Sequence, residues 1–334
     1  MTAIILTILF FVITITLHEL GHFLIAKLSG IKVNEFAIGM GPKIFSWGKG
    51  ETKYSLRALP IGGYVTMEGE NGESDDKRSF ENSPIYKRIF VILSGAIVNI
   101  FTGFVIMGII VGAQGQFVST EVASIKPNVQ QIQVGDKIKK VNGHSISCAN
   151  DCKFELSRVL ENEKINLTVC RDQDIIELND VGYLLITDAG TYRTLGITLS
   201  IKDLNFADFF DQTFSNSIFY VKMVWVSFCD LVTGKVPLDN LSGPVGVTKT
   251  INEAQNNGIF SILSLFSLLS INIGIFNLLP FPALDGGQFI FLIIELIFRK
   301  PIKKEIKGII NGIGIILWIS LFVFITIKDV LFLF

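Results

Sequence analysis

Runs of uncharged, mostly apolar residues alternate with polar stretches along the chain, and the run lengths predict its elements. Four runs are long enough to cross about 30 Å of hydrocarbon as helices: about Thr2 to Ala26, interrupted only by His18, Glu19 and His22, then Ile89 to Ala113, Gly258 to Leu284, and Gly308 to Ile327. Between the first two lies Lys27–Arg88, rich in glycine and charge. Strand-like alternation shows there at Tyr54–Ala58 and Tyr64–Met67. After the second run, Gln114 to about Ser200 is polar and the size of a small domain. The expected segments are 1–28, 29–87, 88–113, 114–200, 201–257, 258–284, 285–307 and 308–334.

One further segment competes for a place in this count. Phe206, Phe209, Phe210, Phe214, Ile218, Val221, Trp225 and Phe228 recur at helical spacing within Phe206–Val232. Its least polar part, Ile218–Val232, is short for a span and carries Lys222 and Asp230. The expectation is an amphipathic helix lying on the outer membrane surface. A span there would reverse the third run.

Basic residues orient the whole. Lys27–Arg88 holds ten Lys/Arg, and Arg299, Lys300, Lys303, Lys304 and Lys307 follow the third run. The positive-inside rule places both segments in the cytoplasm. Both termini and the 114–257 region are then expected outside.

Composition agrees with a bilayer. Of 334 residues, 49% are hydrophobic and 18% charged, and the mean hydropathy is +0.52. A net charge of −1 gives no basic surface for nucleic acid. The uncharged N-terminus lacks the basic region of a signal peptide, so it is expected to be retained. Cys148, Cys152 and Cys170 fall in the polar middle region and Cys229 later, without CxxC spacing. One disulfide and free packed thiols both remain open for them.

The chemistry sits inside the first run. His18-Glu19-Leu20-Gly21-His22 is an HExxH motif and holds two of the three histidines. On a helix it sets two imidazoles on one face to bind a single Zn2+, with the Glu19 carboxylate beside them as general base. Three ionisable groups within five residues of a bilayer segment are costly, so they point to function. A catalytic zinc takes a third protein ligand. The candidate is Asp285, in Asn277-Leu-Leu-Pro280-Phe-Pro282-Ala-Leu284-Asp285-Gly286-Gly287. Spans one and three are both odd-numbered and leave the bilayer on the same side, which brings Asp285 to the depth of His18 and His22. Asn277 is a candidate to donate to a developing oxyanion or to hold substrate backbone.

HELGH in the first run and NLLPFPALDGG in the third resemble the site-2 protease family of intramembrane zinc metalloproteases, most closely the bacterial regulator of sigma-E protease type. Gly39-Met-Gly41-Pro42 and Pro60-Ile-Gly62-Gly63-Tyr64-Val65-Thr-Met67-Glu-Gly-Glu70 resemble that family's membrane-associated β region. Gly135-Asp136-Lys-Ile138-Lys-Lys-Val141-Asn142-Gly143 is similar to a PDZ core, and Leu241-Ser242-Gly243-Pro244-Val245-Gly246 to the motif before span three. The chain departs at Ser94-Gly95-Ala96…Asn99, where a proline is expected after the glycine, and it has room for one PDZ domain rather than two.

The resemblance implies a polytopic α-helical membrane protein of four transmembrane helices. A membrane-associated β region and one extracytoplasmic PDZ-like α+β domain complete it. It implies a bacterial inner-membrane location and a single-span membrane protein as substrate, commonly an anti-sigma factor. A peptide C-terminus at the PDZ-like domain is a further implied partner. A membrane zinc carrier is a rival reading, but it would show more ligands on more spans. An inactive PDZ scaffold is another, but it would be expected to lose Glu19 or a ligand.

Overall fold

The fold is that of a computed structural model describing residues 2–70, 74–127, 131–159, 163–187, 190–236 and 241–331. Among these, four helices are long and apolar enough to cross a membrane. They are α1 (Thr2–Leu28), α2 (Ile85–Gln114), α6 (Ile259–Leu278) and α8 (Lys304–Leu331). The chain divides into two compact units, one of Met1–Ile106 with Val224–Phe334 and one of Met107–Met223.

In the first unit, α1, α2 and α6 pack through small residues. A side chain at Gly21 would meet the Ser94 carbonyl at 2.6 Å, so α1 and α2 touch backbone to backbone. Ser267 and Ser270 of α6 donate to the Gly103 and Asn99 carbonyls of α2, each at 2.8 Å. Hydroxyls meeting carbonyls across helices are suited to lipid, where water offers no alternative partner.

The charged loop after α1 is a hairpin of β1 (Val33–Trp47) and β2 (Lys53–Met67). It is much longer than the two short alternating stretches suggest. Glu35–Ile38 pairs with Gly63–Thr66 and also with Lys53–Leu56. The first part of β1 therefore lies between two stretches of its own partner strand. Val33 and Met67 are buried with Ala26, Phe80, Val91 and Leu292, which fastens this hairpin to the helix ends.

The third span also departs from expectation. The uncharged run reaches Leu284, but α6 stops at Leu278. Pro280 and Pro282 lack the amides a continuing helix needs. The segment 279–284 turns, and Asp285 opens a separate fourteen-residue helix, α7 (Asp285–Phe298). A side chain at Gly286 or Gly287 would strike the Leu279 or Phe281 carbonyl, so only glycine permits this tight turn. From α8, Asn311 Oδ1 accepts from the Ala283 amide at 3.3 Å, and Trp318 meets Phe281 edge to face. The order α5 (Pro244–Asn256), α6, α7, α8 closes the chain.

The second unit holds a six-stranded sheet. It runs in the order β10 (Ile197–Asp203), β3 (Gln116–Ile125), β4 (Lys137–Val141), β6 (Leu167–Arg171), β7 (Asp174–Leu178), and β5 (His144–Ser145) pairs with β4. Asn142 and Gly143 both have positive φ and form the two-residue turn between β4 and β5. Helix α3 (Ala149–Ser157) and a small hairpin, β8 (Tyr183–Thr187) with β9 (Gly190–Thr194), complete the unit. Val122, Ile138, Val141, Cys152, Ile165, Leu167 and Val169 form its core. Asp136 is fully buried, held by Arg171 at 2.7 and 2.8 Å and by the Gln133 amide at 2.8 Å. Burial works to raise the Asp136 carboxyl, but the Arg171 guanidinium and the Gln133 amide outweigh it and hold it below the usual range. His144 is exposed on β5, and all four cysteines are free thiols.

Helix α4 (Phe206–Val232) follows the sheet as the phenylalanine spacing predicts; at 27 residues it has the length of a span, but it is not among the helices apolar enough to be one.

Candidate metal centre

His18 and His22 lie one turn apart on α1, and Asp285 lies at the first turn of α7. Their ligand atoms fall within 4.8 Å of one another. His18 Nε2 is 3.1 Å and His22 Nε2 3.3 Å from Asp285 Oδ2, and the two Nε2 atoms are 3.2 Å apart. Among the described residues this is the one such cluster of three or more His, Cys, Asp or Glu.

The imidazoles are aimed from α2. His22 Nδ1 lies 2.8 Å from the Val91 carbonyl, so Nδ1 carries the proton and Nε2 turns a lone pair toward Asp285. Asp285 Oδ2 is buried without a hydrogen-bond donor. An orphaned carboxylate oxygen facing imidazole lone pairs is unfavourable unless a cation lies among them. Four-coordinate zinc, with bonds of about 2.0–2.1 Å, separates its donors by roughly 3.3 Å, close to the spacing found here. The donor set of two imidazoles and one carboxylate fits zinc.

A cavity of about 400 Å3 adjoins this cluster. Glu19 lines it beside His18 and His22, and β2 contributes Tyr64, Val65 and Met67. The Val65 amide donates to Glu19, and the Met67 amide lies 3.3 Å from Glu70 Oε2. Burial pushes the Glu70 carboxyl above its usual range, against the opposing pull of the Met67 amide and His22. Arg88, Lys304 and Lys307 line the same cavity. Glu295 of α7 is buried and joins Arg88 at 3.0 Å to Lys307 at 2.5 Å, tying α2 to the start of α8.

Of the residues singled out in the sequence, His18, Glu19, His22 and Asp285 thus come together. Asn277 is half-buried on the last turn of α6 and is not among the residues lining the cavity. Sequence reasoning gave no role to Glu70, Val91, Gly95 or Asn99. Glu70 and Asn99 carried a faint signal, one closing the β-region motif and the other a buried-span asparagine. A backbone carbonyl such as Val91's carries none.

A polytopic helical membrane protein with an HExxH pair and a distant aspartate gathered beside a cavity has the makings of a membrane metallohydrolase. The model of peptidase family M50 matches residues 6–321, and the chain belongs to this site-2 protease family. A Clostridium perfringens protein provisionally named a zinc metalloprotease is 36% identical over 335 residues, covering 98% of each chain. A similarly named protein of Fusobacterium nucleatum is 36% identical over 324 residues, covering 95% of each. The regulator of sigma-W protease RasP of Bacillus subtilis is 28% identical, covering 94% of each. The chain is a zinc metalloprotease.

Proposed function

We propose that this chain is an intramembrane endopeptidase that cleaves single-span membrane proteins near or within their transmembrane segment. The observation that carries this reading is the convergence of His18, His22 and Asp285 next to Glu19, within a protein of four candidate spans. His18, His22 and Asp285 hold the metal. Zinc, when bound, supplies a Lewis acid and a water acidified to a pKa of roughly 7. Glu19, beside the two imidazoles in the cavity lining, would be the general base that accepts a proton from water as it adds to the scissile carbonyl. Asn277, just before the turn that carries Asp285, holds substrate backbone or the developing oxyanion.

A substrate helix hides its amides in its own hydrogen bonds and has to unwind first. The edge of β2 supports a way to hold the unwound strand. Val65 and Met67, two residues apart, direct their amides away from β1 toward Glu19 and Glu70. An extended substrate pairs with this edge by replacing those acceptors.

The sheet of the second unit, with its Gly135–Asp136 turn, is read as the PDZ-like domain on the extracytoplasmic side of a bacterial inner membrane. There it filters substrates by size or docks a peptide C-terminus. The name of the sigma-W regulator from Bacillus subtilis supports regulated proteolysis of an anti-sigma factor or similar regulator.

The test is Glu19→Gln. The variant keeps zinc and fails to cleave a model single-span substrate; unimpaired cleavage removes Glu19 as base. Expressed in the native host, the same variant accumulates uncleaved membrane fragments that identify the substrate.

A further inference from the structure

His18 and His22 are held from α2 in two different ways. The Val91 carbonyl takes the Nδ1 proton of His22. The Nδ1 of His18 faces the side-chain amide of Asn99 at 3.4 Å. Asn99 is fully buried, and Ser270 fixes its backbone by donating to its carbonyl. Its amide nitrogen points at His18, and its Oδ1 is buried with no partner.

That arrangement leaves two groups unsatisfied if His18 binds a cation through Nε2. The imidazole then carries its proton on Nδ1 and needs an acceptor there. A donor nitrogen faces it instead, while an acceptor oxygen lies idle on the same amide. The two ends of an amide have nearly the same shape, and the hydrogen-bond network decides which end points where. Turning the Asn99 amide by 180° needs no extra space. It sets Oδ1 against Nδ1–H and gives both a partner.

We infer that Asn99 is a positioning residue for the metal centre, its Oδ1 accepting the Nδ1 proton of His18 and so aiming Nε2 at Asp285. The inference rests on the zinc reading above. A neutral acceptor suits this place, because it fixes the tautomer without adding another buried charge. Asn99 also couples α6 to the site, since the Ser270 hydroxyl holds the same residue. The rotation of His18 thereby depends on three helices rather than one.

The test is zinc affinity, read in purified full-length protein by competition with a chromophoric chelator. Glu19→Gln serves as parent, so that self-cleavage plays no part. Asn99→Leu keeps the number of side-chain heavy atoms and the branch at Cγ but removes the acceptor, and zinc binding weakens by about 10–100-fold. Asn99→Asp restores an acceptor of the same shape and keeps affinity within a few-fold of the parent. The cobalt-substituted Asn99→Leu protein also shows a shifted d–d absorption, reporting a displaced ligand.

Equal affinity in Asn99→Leu and parent overturns the inference. So does an equal loss in Asn99→Asp and Asn99→Leu, which makes the effect one of packing. A parent that binds no zinc overturns the metal reading itself, a separate and recognisable failure.

Discussion

Gly95 backs directly onto His22: a methyl group there would lie 2.5 Å from the imidazole Nε2, and 2.8 Å from that of His18. The absence of a side chain on α2 is therefore part of the metal centre. Gly95→Ala forces both rings away from Asp285, because Gly274 of α6 already lies close against Ala96 and Ile100 and restricts any retreat of α2. Zinc content of the purified variant, measured by mass spectrometry, falls at least tenfold while helical circular dichroism is kept. Full zinc occupancy in Gly95→Ala refutes this account of the packing.

Asp285 supplies the only carboxylate of the cluster and reaches it from across the chain. Asp285→Ala leaves two imidazoles for an ion that takes three protein ligands in catalytic sites. Bound zinc drops from about one per chain to near zero, and proteolysis is lost with it. An unchanged stoichiometry removes Asp285 from the ligand set.

The parts of this site visible in the sequence are those with fixed local spacing. HExxH announces a helical face because four residues make about one turn, and the parity of spans brings Asp285 to it. The turn that delivers Asp285 was half visible. Pro280 and Pro282 signal a break, yet the apolar residues around them prolong the run, and α7 was hidden in what reads as a loop. The hairpin was underestimated because its pairing is non-local: Glu35 meets both Lys53 and Thr66, and no short window shows that. Contacts made by backbone, such as Val91 to His22, leave no trace in side-chain pattern.

The ion pair of Asp136 with Arg171 makes the sheet unit sensitive to acid. The folded carboxyl sits below its ordinary value of 3.8. Its contribution is therefore complete above that value and fades as pH falls through the lower, folded one. Asp136→Ala destabilises the unit at neutral pH by about 1.5–3 kcal/mol through lost charged hydrogen bonds. Hydrogen exchange of peptides covering β4 and β6 in the full chain shows faster opening in the variant at pH 6. The difference from the parent narrows below pH 3.8. A gap that stays constant on acidification contradicts the role given to this pair.

Helix α4 tests the count of spans. At 27 residues and about 1.5 Å each it is long enough to cross a bilayer, but one face is already engaged. Lys222 reaches Asp151 and Glu155, each at 2.7 Å, Phe219 packs on Phe154, and Asn216 bonds Asn150. These partners all belong to α3 of the sheet unit. A helix bound along one side to a polar domain, with Phe206, Phe210 and Phe214 exposed, suits the membrane surface better than its interior. Single cysteines at Asn205 and Thr233, introduced after the four native cysteines are replaced by serine, both react with an impermeant maleimide added outside the cell. Labelling from opposite sides makes α4 a fifth span and reverses the orientation of α6, leaving the parity that unites His18 with Asp285 without its basis.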